Sequence, residues 1–124
     1  MLSRIKSYGL IGLNGYAVTV EIDVSGGMPA YETVGLPDAA VRESKERVRA
    51  AIKNSGFTYP IGRITVNLAP ADTRKEGSFY DLPIALGLLT ATGQIDQQRA
   101  DEYMFLGELA LDGTVRSIPG VLPM

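Results

Sequence analysis

R-I-T-V-N-L-A-P-A-D-T-R-K-E-G-S-F-Y-D-L-P-I-A-L-G-L-L-T-A-T, from Arg63 to Thr92, decides the fold because it changes period halfway along. In its first third Ile64, Val66 and Leu68 alternate with Arg63, Thr65 and Asn67, the period of two of a strand with one wet face. From Asp81 to Thr92 the alternation is gone. Leu82, Ile84, Ala85, Leu86, Leu88, Leu89 and Ala91 make a helix apolar on nearly every side, which belongs inside, with Leu86 expected in the core. Asp81 is read as its N-cap or as the partner of Ser78 in an S-x-x-D capping box, and Pro83 fits a first helical turn. Between the two lies a polar loop, Ala69 to Ser78.

Working outward, Tyr16 to Val24 alternates in the same way and predicts a second strand. Asn14-Gly15 before it favours a tight hairpin turn back to the apolar stretch Ser7 to Leu13, with Gly9, Gly12 and Gly15 as punctuation. Tyr31 to Val34 supplies a third strand. Asp38 then opens a helix of about four to five turns that Ser55-Gly56 closes. After Gly93 the acidic segment Asp96 to Glu102 reads as surface. Tyr103 to Leu111, Asp112-Gly113 and Thr114-Val115 read as strand, tight turn and strand. The sum is an α+β domain over residues 1–124, a mixed or mostly antiparallel sheet with packed helices. The apolar tail Ile118 to Met124 is read as a chain cut just before a further helix.

Composition narrows the chemistry. The 124 residues are 45% hydrophobic and 21% charged, enough for one core and against disorder. Without Cys there are no disulfides, thiolate metal sites or thiol nucleophiles, and without His the commonest general base near neutral pH is missing. No metal set is expected, because Asp96, Asp101 and Glu102 lack the pattern of a calcium loop. No Gly-Lys dipeptide occurs, so no phosphate-cradling loop for a nucleotide exists. No apolar run approaches the roughly 20 residues of a membrane span, and the first residues are too Gly-broken for a signal peptide, so a cytoplasmic location is expected.

The net charge of −2 gives no global attraction to nucleic acid, so any contact needs a local patch. Asp38 to Ser55 provides one, with five basic residues against three acidic while the rest of the chain has seven against eleven. Arg42, Lys45, Arg49 and Lys53 fall within about 80° of helical arc, beside the apolar stripe Val41, Val48 and Ile52. Phosphates fit such a row. So does a solvated face laced by Glu43 with Arg47 and Arg42 with Glu46, and Glu46 dilutes the arc, so the charge pattern by itself leans to the solvated face. Arg74 and Lys75, in the loop before the second helix, are the other candidates for phosphate contact.

Four blocks carry a family resemblance: V-G-L-P-D-A-A-V-R-E-S-K-E-R-V-R-A-A-I (Val34 to Ile52), R-I-T-V-N-L-A-P-A-D (Arg63 to Asp72), K-E-G-S-F-Y-D-L-P-I-A-L-G (Lys75 to Gly87) and F-L-G-E-L-A-L-D-G (Phe105 to Gly113). Together they resemble the N-terminal domain of the magnesium-chelatase-like AAA+ ATPases of the ComM (YifB) competence type. The resemblance implies a fold like the catalytic domain of Lon protease and the second domain of ribosomal small-subunit protein five. It implies a downstream AAA+ module that uses ATP and magnesium, a homo-oligomeric ring, and a whole protein acting on DNA as a branch-migration helicase. The domain itself is then expected to be non-catalytic and without a cofactor, contacting DNA or neighbouring subunits, with a purely structural assembly role as the alternative and a degenerate Lon-like peptidase as a remoter one.

The Lon likeness raises a Ser/Lys dyad, a hydroxyl with a lysine kept neutral by burial. Counting from Gly107-Glu108 puts the serine position at Asp81, counting from Lys75-Glu76-Gly77 puts it at Phe79, and the lysine position falls on Met124. Lys75 is the last lysine of the chain, so Ser78 has no downstream base and no dyad is expected.

Overall fold

The structure, a computed structural model, describes residues 1–11 and 14–116. Its elements are strands β1 (Leu2–Ile11), β2 (Asn14–Ser25) and β3 (Ala30–Val34), helix α1 (Ala39–Asn54), strand β4 (Arg63–Ala69), helices α2 (Asp81–Ala91) and α3 (Gln97–Ala100), and strands β5 (Glu108–Leu109) and β6 (Val115–Arg116). Four strands form a mixed sheet in the order β1-β2-β4-β3, and β5 pairs with β6 as a separate ribbon. The sheet with its packed helices is the α+β architecture expected. The apolar tail Ile118 to Met124 lies outside the described residues.

Alternation sets the sheet. Val18, Val20, Ile22 and Val24 of β2 and Ile64, Val66 and Leu68 of β4 are buried on one face, and their antiparallel register places Val20 beside Leu68 and Ile22 beside Val66. A slip of one residue would turn all of them to water. β3 runs parallel to β4, Tyr31 beside Ile64 and Thr33 beside Val66. Parallel neighbours need a crossover, and α1 is that crossover. It starts where expected: Asp38 Oδ1 accepts from the Val41 amide at 2.8 Å, and its other oxygen accepts from the Gly77 amide at 3.1 Å.

Several expectations change. Asn14 and Gly15 are not the hairpin turn but the first residues of β2, paired with Ile11 and Leu10, because β1 and β2 stay in register to the ends of both strands. Tyr103 to Gly107 forms no strand of its own. It lies along the β1 edge, where Phe105 donates its amide to the Lys6 carbonyl at 2.9 Å and Ser7 Oγ donates to the Phe105 carbonyl at 2.9 Å. A short helix, α3, stands in the acidic segment, capped by Asp96.

A further change concerns α2. Ile84 and Leu88 are fully buried, but Leu82, Leu86 and Thr90, four apart, form a half-buried outer stripe, so Leu86 packs at the margin of the core. Gly87 sits on the opposite side, where a Cβ would overlap the Ile22 side chain, so α2 can approach β2 only with glycine there.

Asp81 is no cap. The N-cap position belongs to Tyr80, which makes no side-chain capping bond, and Ser78 donates its hydroxyl to Glu108 instead. The fully buried Asp81 carboxylate points across to α1. It accepts from Ser44 Oγ at 2.5 Å, Arg47 Nε at 2.6 Å and Nη2 at 3.1 Å, and the Leu109 amide at 3.1 Å. Arg47 Nη2 also donates to the Ala40 carbonyl at 3.0 Å. One carboxylate thus joins α1, α2 and β5. Hydrogen bonding to Asp81 holds the Arg47 guanidinium above its ordinary pKa, so its charge is fixed.

In urea unfolding, Leu88→Ala should lose about 2–5 kcal/mol and Leu86→Ala clearly less, since only the first opens a cavity in a closed core. Equal losses would contradict the outer stripe. Arg47→Ala should cost about 3–5 kcal/mol by leaving a buried carboxylate without its counter-ion. A loss below about 1 kcal/mol would show the pair to be dispensable.

Candidate functional site

The position of α1 divides its cations into two groups. At 100° per residue, Arg47 stands about 140° round from Arg42, with the buried stripe of Val41, Ser44, Val48, Ala51 and Ile52 between Arg47 and the basic arc. Once the stripe sits on the sheet, one flank turns to α2 and the other to β3. Arg47 is spent on Asp81. Arg42, Lys45, Arg49 and Lys53 face the other way and form no ion pair with any described residue. The helix-surface pairs Glu43 with Arg47 and Arg42 with Glu46 are absent from the described residues as well, Arg47 having been drawn to the buried carboxylate.

These cations border a hollow. Lys45, Arg49 and Lys53 form one wall of a groove of about 430 Å³, Tyr31 of β3 lines its floor, and Tyr59, Pro60 and Ile61 from the loop before β4 form the far wall. A second hollow of about 400 Å³ shares Tyr31 and Lys45 and extends past Thr33 to Arg42 and Glu32. No carboxylate of the described residues lines the larger groove. Lys45 Nζ stands 5.7 Å from the Tyr31 ring centroid, a cation–π contact at the rim. Burial pushes the phenols of Tyr31 and Tyr59 up, so both stay neutral at any ordinary pH. The Tyr31 hydroxyl is buried and makes no hydrogen bond, the one such side-chain atom among the described residues.

The loop candidates fare differently. Arg74 is exposed and lies 3.3 Å from Glu76, so its charge is shared with a carboxylate. Lys75 is corrected: its side chain is fully buried and its ammonium donates to the Pro70 carbonyl, so it cannot meet a phosphate. Its backbone bonds to the Leu36 carbonyl and the Asp38 amide, both at 3.0 Å, hold it against the start of α1. Neither residue lines the groove. The sequence reading missed Tyr31, Tyr59, Pro60 and Ile61. The available signal was the apolar run between Gly56 and Gly62, in a connection too short to hide it, with Ile61 89% exposed.

Desolvation lowers the pKa of Lys75 from its ordinary 10.5. Between the lowered value and 10.5 the unfolded chain binds more protons, so this group adds stability as pH rises through that window. The buried phenols of Tyr31, Tyr59 and Tyr80 act in the opposite sense at high pH, so the difference between wild type and Lys75→Met isolates the lysine. The advantage of Lys75→Met in urea unfolding should shrink steadily toward pH 10.5. An advantage constant with pH would mean that Lys75 is hydrated.

No helix of the described residues is long and apolar enough to cross a membrane. Residues 20–124 match the family described as subunit ChlI of Mg-chelatase. The chain is 49% identical over 121 residues to the uncharacterized protein YifB of Escherichia coli K12 and 46% identical over 122 residues to competence protein ComM of Haemophilus influenzae. It is 45% identical over 122 residues to the uncharacterized protein Rv2897c of Mycobacterium tuberculosis. Each alignment covers 98% of this chain and 24% of the relative, so the chain spans about a quarter of the length of these relatives, at their N-terminal end. With the matched residues running from β2 onward through the basic helix and the Asp81 cluster, the chain belongs to the family of subunit ChlI of Mg-chelatase.

Proposed function

We propose that the chain is a non-catalytic module of a DNA-associated AAA+ ATPase, and that the outer flank of α1 carries DNA phosphates. ATP and magnesium act in a downstream module, which drives branch migration in a cytoplasmic homo-oligomeric ring. The observation that carries the reading is the row Arg42, Lys45, Arg49 and Lys53, unpaired among the described residues; Lys45, Arg49 and Lys53 border a groove lined by no carboxylate of the described residues, and Arg42 lines the adjoining hollow with Glu32. A cation row with nothing to neutralise it is electrostatically costly unless an anion or solvent answers it, and a phosphate backbone answers it at every step. The competence protein among the relatives supports the link to DNA.

Lack of catalysis rests on chemistry. The position to which the Lon count leads, Asp81, is held by four hydrogen bonds, two of them from Arg47, and Ser78 donates to Glu108. The one buried lysine, Lys75, is turned to the Pro70 carbonyl. Among the described residues no three carboxylates gather to hold a metal ion.

Replacing Arg49 and Lys53 by Glu should weaken binding about equally for unrelated DNA sequences, because phosphate contacts carry no base information. The slope of log affinity against log salt should flatten by roughly 1.4–1.8 for two lost contacts. Arg74→Glu should leave both nearly unchanged. Fluorescence anisotropy across a salt series measures this, with circular dichroism to verify the fold. Unchanged affinity and slope for the helix variant would assign the row to a subunit-facing surface and make the module one of assembly only.

A further inference from the structure

We propose that the groove between α1 and the Thr58–Gly62 loop takes a single strand of nucleic acid in preference to a duplex, with Tyr59 stacking on an unpaired base. This deepens the phosphate reading above and rests on it. Lys45, Arg49 and Lys53 are spaced four residues apart, about 6 Å of helix rise at each step. Such an evenly spaced row matches an anion that repeats along a polymer.

The far wall decides which polymer. For a duplex, an exposed helix face is sufficient, because the phosphates lie outside and the base faces are covered by their neighbours. An aromatic side chain set opposite the cations contributes only if bases leave the stack, and then it contributes with little regard to sequence. Here the cations do not stand on an open face. They form one wall of a cleft whose other wall is Tyr59, Pro60 and the 89% exposed Ile61. The volume, about 430 Å³, is in the size range of sites that enclose small organic groups. Among the described residues no carboxylate is on the lining, and Glu46, near enough to act on the Tyr59 phenol, stands outside it.

The test uses a 12-nucleotide oligothymidylate and a 12-base-pair duplex as probes, at matched low salt, by fluorescence anisotropy. Tyr59→Ala should weaken oligothymidylate binding at least about fivefold, the lower end for a single stacked base, and change duplex binding by less than about twofold. Tyr59→Phe should restore the affinity. If Tyr59→Ala alters the fold, ultraviolet crosslinking of an oligonucleotide bearing 5-iodouracil replaces it, with the adduct expected on Tyr59 or Tyr31. Loss on Arg49→Glu and Lys53→Glu for both probes, with no effect of Tyr59→Ala and no adduct, would overturn the single-strand proposal and leave the phosphate reading standing. No effect of any of these variants would remove both. Competition by polyglutamate as strong as by the oligonucleotide would overturn it in favour of an acidic peptide.

Discussion

The buried carboxylate of Asp81, with Arg47 in front of it, is the constraint from which the rest follows. A charge with no exposure to water has to be answered on every side, and four hydrogen bonds from Ser44, Arg47 and the Leu109 amide do so. The donors come from α1 and β5, both far in sequence from the Asp81 of α2, so the cluster can form only when α1, α2 and β5 have met. It fixes the rotation of α1 about its own axis. Hydrophobic contacts alone tolerate some roll of a helix on a sheet; a guanidinium aimed at one carboxylate tolerates little.

That rotation connects packing to function. With Arg47 turned to α2, the arc from Arg42 to Lys53 is committed to the β3 side, where the crossover between parallel strands leaves a cleft instead of a packed interface. The loop from Phe57 to Gly62 returns the chain to β4 and closes the cleft on its far side. Tyr59 packs against the margin of the core, while Phe57 and Ile61 stay exposed. An aromatic and aliphatic wall then faces a basic one, and the proposed contact with nucleic acid uses both. The loop at Arg74 and Lys75 serves the scaffold instead, buttressing the start of α1 through Asp38, Gly77 and the buried lysine.

Much of the fold is legible in the sequence because two periods dominate it. Alternation in Tyr16 to Val24 and Arg63 to Leu68, and Asp38 ahead of a run free of Gly and Pro, give strands and a capped helix without tertiary knowledge. The basic arc is legible for the same reason, since helical spacing alone puts Arg42, Lys45, Arg49 and Lys53 together. What is not legible is decided by contacts between distant elements. Asp81 has the local signature of a cap, and only the arrival of α1 turns it into an ion-pair centre. Lys75 has the composition of a surface loop, and only the packing of that loop against Leu36 and Asp38 buries it. Leu86 differs from Leu88 by two positions on a helix apolar all round, and which of them faces the sheet depends on where Gly87 permits close approach. The groove escapes detection because one wall is a helix and the other a loop that no periodicity describes.

The most direct measurement is a titration of the ¹⁵N-labelled chain with the oligonucleotide, followed amide by amide in heteronuclear NMR spectra. The account predicts that the largest shifts fall on one continuous surface made of the Lys45, Arg49 and Lys53 turns of α1, Tyr31 on β3 and the Thr58–Gly62 loop, with the amides around Asp81 and Arg47 unmoved. Shifts centred on the Arg74 loop or on the open face of the sheet, with the α1 surface silent, would contradict it.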